Sequence, residues 1–426
     1  MTHAPAPAGG SPSPPFAPPI ADPARNPLPA GRRTLVVGQA GGPTPVINAS
    51  LAGVVQAAQT AGFTRILGLR YGVRGLLAGQ YADLTDLSGA ELDRLAHTPS
   101  SALGACRLKL DDAQVETGLS ALRALEAGAF VYIGGNDSAD TAHRLATMAA
   151  QAHDPVRVLA VPKTMDNDLP LTDHCPGYGS VARYVATATL ETTLDTRAMP
   201  ETYPVKLLEV SGRYAGWIAA AAALARTVDV TTPHLIYVPE RPFAVDRFLA
   251  DVRAVLAREG HCIVVLSENL NGPDGQRLDT GPARFVDPFG HAYYPGPADM
   301  LCQECLQQGI RARYDKPGTL QRMSGALTSP VDRAEALACG AAAVQAAVDG
   351  LTDRMVALER LAGAVYRCAT ALVPLSAIAN TERLLPDEFI NAAGNNITDA
   401  FIEYALPLIG GPLPAYFQLP PVPDQR

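Results

Sequence analysis

The chain has 426 residues, enough for two lobes of ordinary domain size rather than one small core. Apolar residues make up 47% and charged residues 18%, a globular composition with ample core material. The formal net charge of −8 argues against nucleic acid as a partner, which asks for a basic face, but leaves room for an anion site in one cleft.

In chain order, the first segment holds ten prolines within its first 30 residues, mixed with Ala, Gly and Ser. Such a composition cannot bury enough surface to offset its ordering entropy, so residues 1–32 are expected to be a disordered tail. It lacks the apolar stretch of a signal peptide, and no apolar run later in the chain reaches the length of a membrane span.

From residue 33 a single theme recurs. Short apolar, β-branched runs end abruptly in Gly-rich or polar clusters, with Ala/Leu-rich helical stretches between them. The runs are TLVVG (34–38), AFVYIGG (129–135), VRVLAVP (156–162), VKLLEVSG (205–212), HLIYVPE (234–240) and HCIVVLSE (261–268). Continuous apolar strands alternating with helices predict a mainly parallel α/β sheet covered on both faces. Ligands of such sheets bind beyond the carboxyl ends of the strands, where these polar clusters sit. Residues 346–426 read as a helical extension packing back on the core, with Asp353, Arg354, Glu359 and Arg360 on a solvated helix face.

The seven cysteines, Cys106, Cys175, Cys262, Cys302, Cys305, Cys339 and Cys368, are odd in number and scattered, which fits reduced thiols in a cytoplasm. Cys302 and Cys305 form one CxxC pair with no second pair to close a zinc site.

Three clusters carry chemistry. GQAGGPTPVINAS places Gly41 and Gly42 between a strand and a helix, where backbone N–H groups can approach a phosphate, or where the chain simply turns tightly. IGGNDSADT repeats the device, and its Asp137 and Ser138 can either cap the helix or face a ligand. PKTMDND sets Asp166 and Asp168 two apart, on one side of an extended segment, beside Lys163. The carboxylates could share a magnesium ion, divide base and metal roles, or form an Asx-turn with a surface lysine. An aspartate near a phosphoryl group and a hydroxyl serves as proton acceptor, while a lysine offsets charge on the transferring group. Trp217 and Tyr214 read as helix packing, and His174 as an incidental loop histidine.

Together GQAGGPTPVINA, LGACR, IGGNDSADT, PKTMDND, EVSGRYAGW, YVPE and KPGTLQR, in this order and spacing, resemble the phosphofructokinase family over roughly residues 33–345. The resemblance implies a two-lobe fold of Rossmann-like units with mainly parallel sheets, discontinuous in sequence, and an active site in the cleft between them. It implies Asp166 as catalytic base toward the 1-hydroxyl of fructose 6-phosphate, with Arg213, Lys163 and Asp137 as further catalytic residues. Gly41, Arg107 and Lys163 would contact the phosphoryl donor. Thr164, Ser211, Gly212, Arg213, Glu240, Arg313, Thr319 and Arg322 would bind the sugar phosphate, the arginines suiting phosphate oxygens. Asn136 and Asp168 would hold Mg2+.

The family's ATP users carry glycine where this chain has Asp137 and Lys163; its pyrophosphate users carry aspartate and lysine. A carboxylate at the site of a nucleotide's α-phosphate opposes it by about 4 kcal/mol at 4 Å and an effective dielectric of 20, about a thousandfold. The resemblance therefore implies a pyrophosphate donor, reversible formation of fructose 1,6-bisphosphate in glycolysis or gluconeogenesis, a homodimer or homotetramer, and a cytoplasmic location. An ATP-dependent kinase and a non-catalytic regulatory subunit are the alternatives. Three positions depart from the family pattern: Asn136 replaces an aspartate, Thr319 a histidine, and Pro204 an arginine for which Lys206 or Arg197 could substitute. A looser sugar site admitting longer sugar phosphates would be another consequence.

Overall fold

The computed structural model describes residues 31–226, 230–278, 283, 285–286, 292–293 and 295–417. The expected tail is therefore, save for its last two residues, outside the described residues, as is the end of the C-terminal extension.

The strands of the first half are β1 (Thr34–Gln39), β2 (Arg65–Leu69), β3 (Tyr81–Asp83), β4 (Ala127–Gly134) and β5 (Arg157–Pro162). Between and after them run α1 (Ile47–Thr60), α2 (Val73–Ala78), α3 (Gly89–His97), α4 (Asp112–Ala124), α5 (Asn136–Gln151) and α6 (Tyr178–Ala198). Then come β6 (Val205–Val210), α7 (Trp217–Ala221), β7 (Leu235–Tyr237), α8 (Val245–Glu259) and β8 (Cys262–Ser267). A small ribbon, β9 (Phe285–Val286) and β10 (Ala292–Tyr293), precedes α9 (Pro297–Gln307), β11 (Ala312–Asp315) and α10 (Pro330–Val348). The chain closes with β12 (Arg354–Arg360), β13 (Cys368–Pro374) and α11 (Asp399–Ala405).

A seven-stranded sheet has the order β13-β12-β5-β4-β1-β2-β3, and a four-stranded sheet the order β11-β6-β8-β7. All pairs of the smaller sheet are parallel, and in the larger one only β2–β3 and β12–β13 are antiparallel. Every residue of β1, β4, β6 and β8 is buried, which explains their unbroken apolar runs: helices cover both faces of both sheets. One face of the larger sheet packs on α1 and α10, the other on α4 and α5. The smaller sheet lies between α6–α7 with α11 and α8–α9. Helices α1 and α10 cross closely because Gly53 faces the Leu337 carbonyl and Gly340 the Ser50 carbonyl; a Cβ at either would meet backbone.

The helical reading of the segment after residue 350 is corrected. RMVALER and CATALVP form a β-hairpin that extends the seven-stranded sheet, β12 joining β5 in parallel. Met, Ala, Leu, Glu and Arg favour helix locally, but the open edge of β5 and burial of Met355–Leu358 override that preference. Of the rest of the expected helical extension, among the described residues, only α11 and short 3-10 turns form, among them Asp387–Phe389 and Leu406–Ile409. Arg360 is not on a solvated helix face: it pairs with Asp173 at 3.1 Å and lies over Tyr404.

His174 is likewise more than an incidental loop residue. It is buried, its Nδ1 2.8 Å from Asp173 and its Nε2 2.7 Å from Glu335, and the Tyr366 hydroxyl donates to Glu335. All seven cysteines are buried and free; Cys302 donates to the Ala312 carbonyl. No helix among the described residues is long and apolar enough to cross a membrane.

Candidate active site

One cavity of about 410 Å³ opens between the carboxyl ends of the two sheets. From the larger sheet, β1 leads to Gly41, Gly42 and Pro43, β4 to Gly135–Ser138, and β5 to Lys163–Asp166 and Asp168. The chain leaves β1 toward β2 on one side while β4 lies on the other, so the two glycine turns flank the point where strand order reverses. From the smaller sheet, β6 leads to Ser211, Arg213 and Tyr214, β8 to Glu268, Asn269 and Arg277, and β11 to Lys316, Gly318, Thr319 and Arg322. Arg107 enters from the loop before α4.

Lys163 is the centre of the first wall. Its side chain is buried, and its Nζ donates to the Gly42 carbonyl at 2.9 Å. Burial pulls its pKa down to about 8 against the opposing pull of Asp166 and Asp168, with Arg322 and Arg107 nearby lowering it further. Gly41 takes a φ of 71°, and a Cβ there would stand 3.2 Å from Lys163 Nζ. A Cβ on Gly42 would come within 2.7 Å of Arg322 Nη1, so the missing side chain lets two arginines and a lysine converge on one backbone turn.

The carboxylates face this cationic group. Burial raises Asp166 to about 7; Asp168 and Glu268 push the same way, while Arg213 and Lys163 oppose them. The Asp166 amide donates to Thr164 Oγ1 at 3.0 Å, fixing the turn. Asn136 Oδ1 and Asp166 Oδ1 are buried without hydrogen-bond partners, oxygen donors that fit a hard cation.

On the opposite wall, Gly212 has a φ of 148° and Arg213 a φ of 56°. Their amides donate to Glu268 Oε1 at 3.3 and 3.1 Å, so the carboxylate at the end of β8 shapes the turn at the end of β6. Lys316 bridges the buried Glu209 and the Pro295 carbonyl.

The cleft thus gathers Gly41, Arg107, Asn136, Asp137, Lys163, Thr164, Asp166, Asp168, Ser211, Arg213, Thr319 and Arg322 from the sequence reading. It does not gather Gly212, Glu240 or Arg313. Glu240 turns inward and accepts the amides of Gly216 and Leu385, each at 2.8 Å. Arg313 pairs with Asp195 at 3.1 Å and lies 4.4 Å over Tyr203. Neither suggested substitute for the arginine absent at Pro204 lines the cleft: Lys206 is buried against Asp315, and Arg197, in the last turn of α6, is exposed. Glu268, Asn269, Arg277 and Lys316 were missed. The carboxyl end of the HCIVVLSE strand was the signal for Glu268; KPG beside the QR pair was the signal for Lys316. Tyr214, read as packing, is 54% exposed at the cleft, whereas Trp217 is core.

Glycine turns at strand ends, convergent cations and a facing carboxylate pair define a phosphoryl-transfer enzyme of the doubly wound α/β class. Comparison with known proteins makes this specific. The phosphofructokinase family profile matches residues 34–347, and the chain belongs to that family. It is 41% identical over 388 residues to pyrophosphate–fructose 6-phosphate 1-phosphotransferase of Xanthomonas campestris pv. campestris, covering 89% of this chain and 92% of the relative. The protein of that name in Rhodospirillum rubrum is 40% identical over 393 residues, 90% and 96% of the two chains. The crystal structure of a pyrophosphate-dependent phosphofructokinase from Nitrosospira multiformis superposes with a TM-score of 0.81 at 37% identity, covering 93% of this chain and 95% of the other.

Proposed function

We propose that this chain is a magnesium-dependent enzyme that reversibly transfers a phosphoryl group from pyrophosphate to the 1-hydroxyl of fructose 6-phosphate, giving fructose 1,6-bisphosphate and orthophosphate. The observation that carries the choice of donor is the buried Lys163 ammonium, tied to the Gly42 carbonyl in the same cleft wall as Asp137. Together the two fill and charge the space an α-phosphate would need, while the cation remains available to pyrophosphate oxygens. The carboxylate Asp166 takes the proton of the 1-hydroxyl as that oxygen attacks phosphorus, and its pKa near 7 suits it to give the proton back in reverse. Arg213, Arg107 and Lys163 stabilise charge on the transferring group. Asn136 and Asp168 would hold Mg2+, which when bound neutralises pyrophosphate oxygens. Ser211, Thr164 and Glu268 orient the sugar, and Lys316, Thr319 and Arg322 receive its 6-phosphate. The enzyme acts in the cytoplasm as a homodimer or homotetramer; exposed Tyr203 and Tyr314, flanking Arg313, supply apolar surface for association.

A donor panel tests the assignment. Purified protein with fructose 6-phosphate and Mg2+ should turn over with pyrophosphate and lose that turnover on chelation. Strong activity with ATP and none with pyrophosphate would overturn the reading. The double variant K163G/D137G should admit ATP weakly.

A further inference from the structure

We infer that Arg383 and Tyr404, which never reach the cleft, are positioning residues for catalysis: they clamp the turn that carries Asp166 and Asp168. The inference rests on the proposed roles of those aspartates. Between them lies Asn167, fully buried, with a φ of 57°. Asparagine is one of the few non-glycine residues that enter the left-handed region, still at a cost that local hydrogen bonds must offset. Here that conformation reverses the chain between the two aspartates, so both reach the cleft while the side chain between them points into the protein.

Those hydrogen bonds are visible atom by atom. The Asn167 carbonyl accepts Arg383 Nε at 3.2 Å and Nη2 at 2.9 Å. The neighbouring Asp168 carbonyl accepts the Arg383 amide at 2.7 Å. On the far side of the turn Arg383 Nη1 donates to the Thr172 and Asp173 carbonyls at 2.6 and 2.8 Å. One residue therefore satisfies four backbone carbonyls of the catalytic turn. The Asn167 side chain is held at both ends: Oδ1 accepts the Cys175 amide at 3.0 Å, and Nδ2 donates to the Tyr404 hydroxyl at 3.0 Å. That hydroxyl in turn donates to the Asp173 carbonyl at 2.8 Å. The clamp is itself braced, with the Arg383 guanidinium 4.5 Å over Trp217, whose Nε1 donates to the Arg383 carbonyl.

Neither Arg383 nor Tyr404 lines the cavity, and both lie beyond residues 34–347 that match the family profile. The C-terminal segment thus does more than cover the smaller sheet. It supplies the rigid backing against which the aspartates are aimed, and misplacement by about 1 Å can cost a hundredfold in rate.

The test uses the full chain and four variants. R383M removes the guanidinium donors while keeping the backbone amide and a long side chain; it should lower kcat by about 30-fold or more while each KM stays within about threefold. R383K, which can satisfy some of the carbonyls, should recover part of that loss. Y404F keeps the ring and deletes only the hydroxyl, and should lower kcat about five- to tenfold. N167G keeps the left-handed backbone without its anchors and should fall between Y404F and R383M. Hydrogen exchange, read without any substrate, should show peptides spanning 163–175 deprotected in R383M while β4 and β6 keep wild-type protection. Unchanged kcat in R383M, or deprotection spread evenly over the chain, would overturn the inference. Were the wild-type protein inert toward pyrophosphate and fructose 6-phosphate, the functional reading would fail. The exchange pattern alone would then still decide whether Arg383 holds the turn.

Discussion

At Asp166, burial and the charge of Asp168 oppose ionisation, Arg213 and Lys163 favour it, and the balance falls at about 7. In its proposed role as base Asp166 works deprotonated, so the forward reaction should rise as pH passes through about 7. Lys163, drawn down to about 8 by burial, is proposed to act as a cation, so the rate should fall again above that value. The expected forward profile of kcat/KM is a narrow bell with those limbs, belonging to the coupled set rather than to single groups. In the reverse direction the protonated carboxyl is needed, and the optimum should shift to lower pH. K163M should erase the alkaline limb and move the acid limb upward, because removing a nearby cation raises a carboxyl. D166N should cost about two to four orders of magnitude in kcat. These residues were readable in sequence because PKTMDND keeps lysine and aspartates within one turn, where chain connectivity alone brings them together. Asn167, inside the same motif, was passed over because its role depends on a backbone dihedral and on partners more than 200 positions away.

Among elements, the strands that end in glycine or polar clusters were legible, since burial on both faces writes an unbroken apolar run. The β12–β13 hairpin was not, because its residues favour helix and only the free edge of β5 dictates pairing. That hairpin, α10 and the loop before α6 meet at His174. Burial opposes charge on its ring, but Glu335 and Asp173 outweigh it and raise the pKa to about 9. Arg360 and the Tyr366 hydroxyl share the same carboxylates. A pKa raised on folding stabilises the protonated native state. The contribution is whole below the unfolded value of about 6.5, shrinks through the interval and is gone above about 9. Urea midpoints should therefore decline from pH 6.5 to 9 in the wild type, and H174Q should be less stable at pH 6.5 with a flatter profile. An equally steep decline in H174Q would place the titration elsewhere.

For the whole molecule, the decisive fact is that each sheet contributes one wall of the cleft. Strand order, which no local pattern encodes, decides which strand ends take part. Glu240 and Glu268 both follow strands of the smaller sheet, but β7 is its edge and β8 lies beside β6. Glu268 accordingly meets the Gly212–Arg213 turn, while Glu240 buries itself against Gly216 and Leu385. The division makes a prediction that activity assays alone would miss. Pyrophosphate with Mg2+ should be held mainly by the wall of β1, β4 and β5, and fructose 6-phosphate mainly by the wall of β6, β8 and β11. Each should stabilise the native state on its own, by about 2.7 kcal/mol at a hundred times its Kd. E268Q should shrink the thermal shift given by the sugar phosphate and spare the one given by pyrophosphate, because it loosens only the second wall. N136A should do the reverse, since its oxygen belongs to the first. If both variants weakened both shifts equally, the walls would not act as separable half-sites, and the cleft would have to be treated as one cooperative unit that neither sheet builds alone.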